Sequence, residues 1–202
     1  MRTPNPDLQS RRRQEIIAAA EQCFLKRGFH QTSMQNIAAA SGLSMGLLYR
    51  YFANKEAIIT AVAQQDQDVA LAEVAAVPVD DDPTAAWVAF VINMATLASA
   101  PDYASLASEI LAEANRSLKI LQTLKDNDAA LAVAIARKLA EQQATGAVTP
   151  SVDAHSAAQS LLLLFDGLVM RMAMVNTDFG DEINTNLLGM ISRILMLDRN
   201  EY

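Results

Sequence analysis

Residues 45–52, Met-Gly-Leu-Leu-Tyr-Arg-Tyr-Phe, carry side chains suited to reading another molecule's surface. Placed at 100° intervals on a helix, Met45, Leu48 and Phe52 (i, i+3, i+7) take one side and should face a core. Gly46, Leu47 and Arg50 fall opposite, with Tyr49 and Tyr51 on the flanks. The chemistry this implies is recognition without bond making. Glycine lets a backbone approach, arginine bridges a guanine edge, leucine touches a thymine methyl, and a tyrosine hydroxyl reaches a phosphate. The plain alternative is a helical hairpin that exposes two tyrosines.

Bond-making constellations are not evident. His30 and His155 lie far apart in sequence with no Cys, Asp or Glu at ligand spacing, so no metal site is expected. Cys23 sits beside an apolar stripe and reads as packing. Glu109 and Glu113, an i, i+4 pair, read as a solvated face before an acid/base pair. Met170, Met172 and Met174 read as filling a core or an interface, with a pocket wall as the alternative for Met170. Neither a G-x-S-x-G elbow, nor a P-loop, nor a dinucleotide fingerprint occurs, so no catalytic residue and no cofactor is expected.

The elements that position the reading face are short and clearly punctuated. Ser33 is placed to cap a helix whose inward residues are Ile37 and Ala38, and Gly42 can take the left-handed conformation that ends it. Ser44 caps the second helix after a tight turn, and Asn54 caps a third beginning Lys55-Glu56. Helix, glycine turn and short second helix form the helix-turn-helix pattern, whose second helix enters the major groove.

The stretch from Thr32 to Ala57, T-S-M-Q-N-I-A-A-A-S-G-L-S-M-G-L-L-Y-R-Y-F-A-N-K-E-A, resembles the signature of the TetR/AcrR family of bacterial regulators. The run Ile16-Ile17-Ala18-Ala19-Ala20 through Phe24 to Arg27-Gly28-Phe29 is similar too, so the resemblance spans about residues 10–62. Asp166-Gly167-Leu168 with Arg171 is similar to the penultimate helix of many members. The resemblance implies phosphate contacts at Thr32, Tyr49 and Lys55 and base-edge contacts at Gly46 and Arg50. Ser44, Met45 and Leu47 complete the expected DNA-facing set. Met45 departs from the family's usual Lys, and Leu47 from a small or hydroxyl residue.

Charge agrees with that division. Residues 1–60 hold eight basic against four acidic side chains, a local +4, while the rest carries −11 of the total −7. DNA binding needs a local positive field and not a basic whole. The composition, rich in Ala, Leu, Ile and Met, favours helices, and no window alternates with period two, so the expected class is all-α with about nine helices. One cysteine is compatible with a reducing cytoplasm. The Arg11-Arg12-Arg13 run lacks a following apolar segment, so no signal peptide is expected; a phosphate-facing role and a solvated helix start stand level for it. The longest apolar run, Leu161 to Phe165, is too short for a membrane.

The expected organisation is a disordered arm over 1–9, a helix-turn-helix domain over 10–54, a connecting helix over 55–76 and an effector-binding and dimerisation domain over 77–202. Helix 8 (about Thr149 to Asn176) and helix 9 are apolar on more than one side, which asks for two partners each. A wholly intramolecular core is the alternative. The resemblance implies dimerisation through these last two helices, with Leu161, Phe165, Leu168, Met172, Leu187, Ile191 and Ile194 at the interface. It also implies a pocket within helices 5 to 8. The larger apolar residues there, Trp87, Phe90, Met94, Tyr103, Ile110, Phe165 and Met170, would line it, with Asn93, Glu109 or Gln159 fixing a ligand. No basic residue falls in that lining, which favours a neutral or cationic lipophile. The expected function is therefore a cytoplasmic, dimeric repressor released from a palindromic operator by that effector. A constitutive DNA binder or activator, and more remotely a helical enzyme or scaffold, are the competing readings.

Overall fold

In a computed structural model the backbone is described at residues 6–79, 82–98, 100–175 and 181–196, with the side chains at 6, 101, 172–175, 181, 182 and 196 set apart from that description. Nine helices and no strands occur among the described residues: α1 Pro6–Gln31, α2 Met34–Ser41, α3 Met45–Tyr51, α4 Lys55–Ala76, α5 Pro83–Ala98, α6 Pro101–Ala114, α7 Leu118–Thr145, α8 Ala154–Val175 and α9 Asp181–Met196. They divide into two compact units, residues 1–66 with 105–125, and residues 67–104 with 126–202.

The first unit is built on α1. Its stripe of Ile16, Ile17, Ala20 and Phe24 is buried with Ile37, Leu48, Ile58 and Ile59. Each large aliphatic or aromatic side chain so buried contributes about 1.5–3 kcal/mol of transfer free energy. Gly28 breaks α1 with φ 73° and ψ 161°, a conformation only glycine adopts easily. The break lets Phe29 fold back against Phe24, ring centroids 5.3 Å apart. Leu106, Ile110, Ala114 and Ile120 pack into this same core. The linear division expected from the sequence therefore needs correction, because residues 105–125 close the core of the helix-turn-helix unit. The expected arm is also shorter: residues 6–9 are helical, while residues 1–5 lie outside the described residues.

Caps fall where the sequence places them. Ser33 and Asn36 make a reciprocal capping box, Gly42 takes φ 66° at the end of α2, and Asn54 Oδ1 accepts from Ala57 N at 2.8 Å. Asp82 Oδ1 accepts from Thr84 N and Ala85 N, with Pro83 as the first residue of α5. One start moves. Thr149 and Pro150 lie in a turn, and α8 opens on Asp153, whose Oδ1 accepts from Ser156 N at 2.8 Å.

The second unit surrounds Trp87. Its indole N–H donates to Gln142 Oε1 at 2.9 Å, and Gln142 Nε2 donates to the carbonyl of Pro78 at 2.7 Å. Both side chains are fully buried, so this chain of bonds satisfies polar atoms that would otherwise destabilise the core. Val91, Ile135, Leu139, Leu161, Leu187 and Ile191 complete the apolar interior. No single helix among the described residues is long and apolar enough to cross a membrane.

Candidate nucleic-acid interface

The turn from Gly28 to Thr32 sets where α2 begins, and it is clamped from two sides. Glu109 Oε2 accepts from Phe29 N at 3.0 Å. Its other oxygen lies 3.2 Å from where a Cβ on Gly28 would sit, a second reason for glycine there. Opposite, Lys55 Nζ donates to the carbonyls of Phe29 and, at 2.8 Å, Thr32, and sits 4.0 Å from the centre of the Phe29 ring. Burial pushes the Lys55 ammonium below its usual range, opposed by Glu113 and Glu109. Thr32 is 2% exposed, and its hydroxyl reaches the carbonyls of Gly28 at 2.9 Å and Cys23 at 3.1 Å.

Thr32 and Lys55, both expected as phosphate contacts, thus hold this turn from inside. The Thr32 and Lys55 side chains spend their donors on backbone carbonyls inside the protein, because the bend at Gly28 strands those carbonyls and a buried carbonyl needs a partner. Glu113, buried on α6, accepts from Arg116 at 3.0 Å and lies 2.9 Å from His30 Nε2. Glu109 and Glu113 are thus structural members of this unit. Sequence reasoning missed them since Phe29 and His30 lie some eighty residues away, and only the i, i+4 pairing hinted at a shared face.

The face expected to read DNA points outward. Leu48 and Phe52 are buried and Met45 is partly buried against the core, as the 100° spacing predicts. Gly46, Tyr49 and Arg50 are exposed, and Leu47 is half-buried. Ser44 Oγ accepts from Leu47 N at 3.3 Å, which satisfies one of the free amides that start α3. A Cβ on Gly46 would meet nothing within 4 Å, so the protein itself does not require glycine there. What the position offers is open access to the first turn of α3. Beside this face, Arg13 stacks 5.1 Å above the Phe52 ring. Arg12 Nη1 donates to Glu15 at 2.7 Å, and Arg11 lies 3.9 Å from the same carboxylate.

The expected effector residues are only partly brought together. Phe90 is buried edge-on to Trp87 at 5.5 Å, and Met94 and Phe165 pack against the same cluster. Asn93 donates to Glu73 at 2.7 Å. Tyr103, Gln159 and Met170 are exposed. Glu109 is committed to Phe29, and Ile110 belongs to the core of the first unit. The described groove lies elsewhere, with Leu71, Val74 and Ala75 of α4 facing α7.

The expected interface residues lie mostly inward in the protomer. Leu161, Leu168, Leu187 and Ile191 are interior to the protomer, and Phe165 and Ile194 pack against them. The side chain of Met172 lies outside the described residues. Exposed instead are Leu163 and Met170 on α8 and Leu188 and Met190 on α9. On α9 the buried positions Leu187, Ile191 and Leu195 recur at four-residue steps with Leu188 and Met190 to either side, whereas on α8 Leu163 and Met170 share one outward face.

Comparison with known proteins agrees with the geometry. A family model described as "Bacterial regulatory proteins, tetR family" matches residues 16–62. The HTH-type transcriptional regulator UidR of Escherichia coli K12 is 30% identical over 157 residues, 78% of this chain and 79% of that protein. The HTH-type transcriptional repressor AcnR of Corynebacterium jeikeium is 25% identical over 162 residues, 80% of this chain and 82% of its own. Among solved structures, Salmonella enterica GusR superposes with TM-score 0.80 at 28% identity, covering 96% of this chain and 99% of that one.

Proposed function

Because the chain belongs to the TetR family of bacterial transcriptional regulators, we propose that it is a ligand-responsive repressor that binds a palindromic operator as a two-fold dimer. The observation that carries the DNA-reading part is the outward set Gly46, Tyr49 and Arg50 on a helix whose other side is fixed by Leu48 and Phe52. Arg50 bridges a guanine edge and Tyr49 holds a phosphate, while Thr32 and Lys55 act indirectly by fixing the turn that aims α2. The name of the similar AcnR supports repression.

The dimer forms through the exposed apolar residues of α8 and α9, with Leu163 and Met170 on one face of α8 at its centre and Leu188 and Met190 to either side of the buried face of α9. Two recognition helices then fall one DNA turn apart, roughly 34–36 Å. The effector is a lipophile seated among Phe90, Met94 and Phe165. With Glu109 bound to Phe29, the one carboxylate among the expected effector residues is withdrawn, and a neutral ligand fits better than a cation. Its binding moves α4, which contributes residues to both units, and spreads the recognition helices. DNA and effector affinities then oppose each other by one coupling factor.

Footprinting on the DNA upstream of its own and adjacent genes is the test. Protection of an inverted repeat, relieved by a lipophile that also raises the thermal midpoint, is the expected result. Protection that no bound compound relieves would leave a constitutive binder, and no protected repeat at all would end the proposal.

A further inference from the structure

The groove between α4 and α7 in the second unit serves neither the reading face nor the proposed effector seat. It is a half-open groove of about 410 Å³. Its apolar lining comes from Leu71, Val74 and Ala75 on α4 and Ala130, Val133 and Ala134 on α7, of which Val74 is buried. Its lining also includes Arg137, Lys138 and Glu141. On α7 these positions recur at three- and four-residue steps, so one helix face passes from methyl groups to charges over about 16 Å.

The charged end has one cation in excess. Glu141 is bracketed by Arg137 Nε at 3.4 Å and Lys138 Nζ at 3.1 Å. Lys138 has a side chain only 13% exposed and is held in place, whereas Arg137 is 82% exposed. Only Nε of Arg137 engages Glu141, which leaves its terminal amino groups to fork onto a second acceptor. At the other end Val133 is 63% exposed, an apolar surface that water covers poorly.

We infer that this groove binds an amphipathic carboxylate, its hydrocarbon along α4 and α7 and its headgroup on Arg137. A cation would meet the excess positive charge, and a neutral alcohol would leave the guanidinium fork unused. Binding here is read on the DNA-free protein, so its failure is distinguishable from a failure of operator release.

The test is calorimetric titration of the full-length protein with decanoate, decan-1-ol and decyltrimethylammonium, the two ions kept below their micelle concentrations and the alcohol below its solubility limit. Decanoate is expected to bind saturably with one site per chain, roughly tenfold or more tighter than decanol. Arg137→Gln should remove that preference and leave decanol binding as it was. Ala130→Trp fills the groove from an exposed position and should abolish decanoate binding while circular dichroism shows the fold intact. Equal binding of decanoate and decanol, or decanoate binding untouched by Ala130→Trp, would overturn the inference. It would fall equally if the wild type took no decanoate and Ala130→Trp lowered the sedimentation coefficient, for the groove would then be covered by a second copy.

Discussion

Two short stretches of the first unit carry polar side chains and use them in opposite directions. In the turn around Gly28, the donors of Thr32 and Lys55 point inward to carbonyls stranded by the break in α1. On α3, Tyr49 and Arg50 leave their donors outside, because the helix satisfies its own backbone and Ser44 caps its start. The direction of a polar side chain thus follows from whether nearby backbone lacks partners. The proposed contact with DNA uses the stretch whose backbone is already satisfied.

The division between inward and outward positions is broken most severely on α9, where the two kinds alternate. Ile191→Glu places an unpaired charge in a fully buried site and should cost more than about 3 kcal/mol, unfolding the protein. Leu188→Glu, one turn earlier on the exposed side, should keep the fold and yield a monomer in sedimentation. A folded Ile191→Glu variant would show that α9 has been assigned the wrong face.

Next in size is the clamp. Lys55→Ala strips partners from the carbonyls of Phe29 and Thr32 and should lower unfolding free energy by about 1–3 kcal/mol in denaturant titration. Thr32→Val should lower it by about 1 kcal/mol for the same reason. Tyr49→Phe, whose hydroxyl is free of such duty, should stay within about 0.5 kcal/mol.

The smallest effect is one of pH. Burial, and then the nearby Glu21, push the Asp66 carboxyl up to about 6 from an ordinary value near 3.8. The folded state therefore binds this proton more tightly than the unfolded chain, so stability falls as pH rises from about 4 through 6. Asp66→Asn should add ~1 kcal/mol at pH 7.5 after allowance for solvent screening, and nothing near pH 4. Equal gains at both pH values would remove Asp66 as the cause.

Local signals were the readable ones. Ser33, Gly42, Ser44, Asn54 and Pro83 mark helix ends because capping depends on neighbours within four residues. The inward triplet Met45, Leu48 and Phe52 follows from helical period alone. Long-range pairings were hidden: Glu109 meets Phe29, and Trp87 meets Gln142, only through the tertiary fold. Helices α8 and α9 were visible as apolar on more than one side, but the spacing alone did not tell buried Leu187 from exposed Leu188. Lys55 was readable as a cation near the reading helix and not as a clamp, since the carbonyls it satisfies are stranded by a bend at Gly28, residues earlier.

The most direct measurement compares wild type, Arg50→Ala and Lys55→Ala in titrations against operator and scrambled duplex at one salt concentration. Arg50→Ala should lose about 1–3 kcal/mol of preference for operator while keeping its affinity for scrambled DNA within the effect of one lost charge. Lys55→Ala should weaken both duplexes alike, in step with its loss of folded protein. An Arg50→Ala protein that prefers its operator as strongly as the wild type would contradict the assignment of α3 as the reading face.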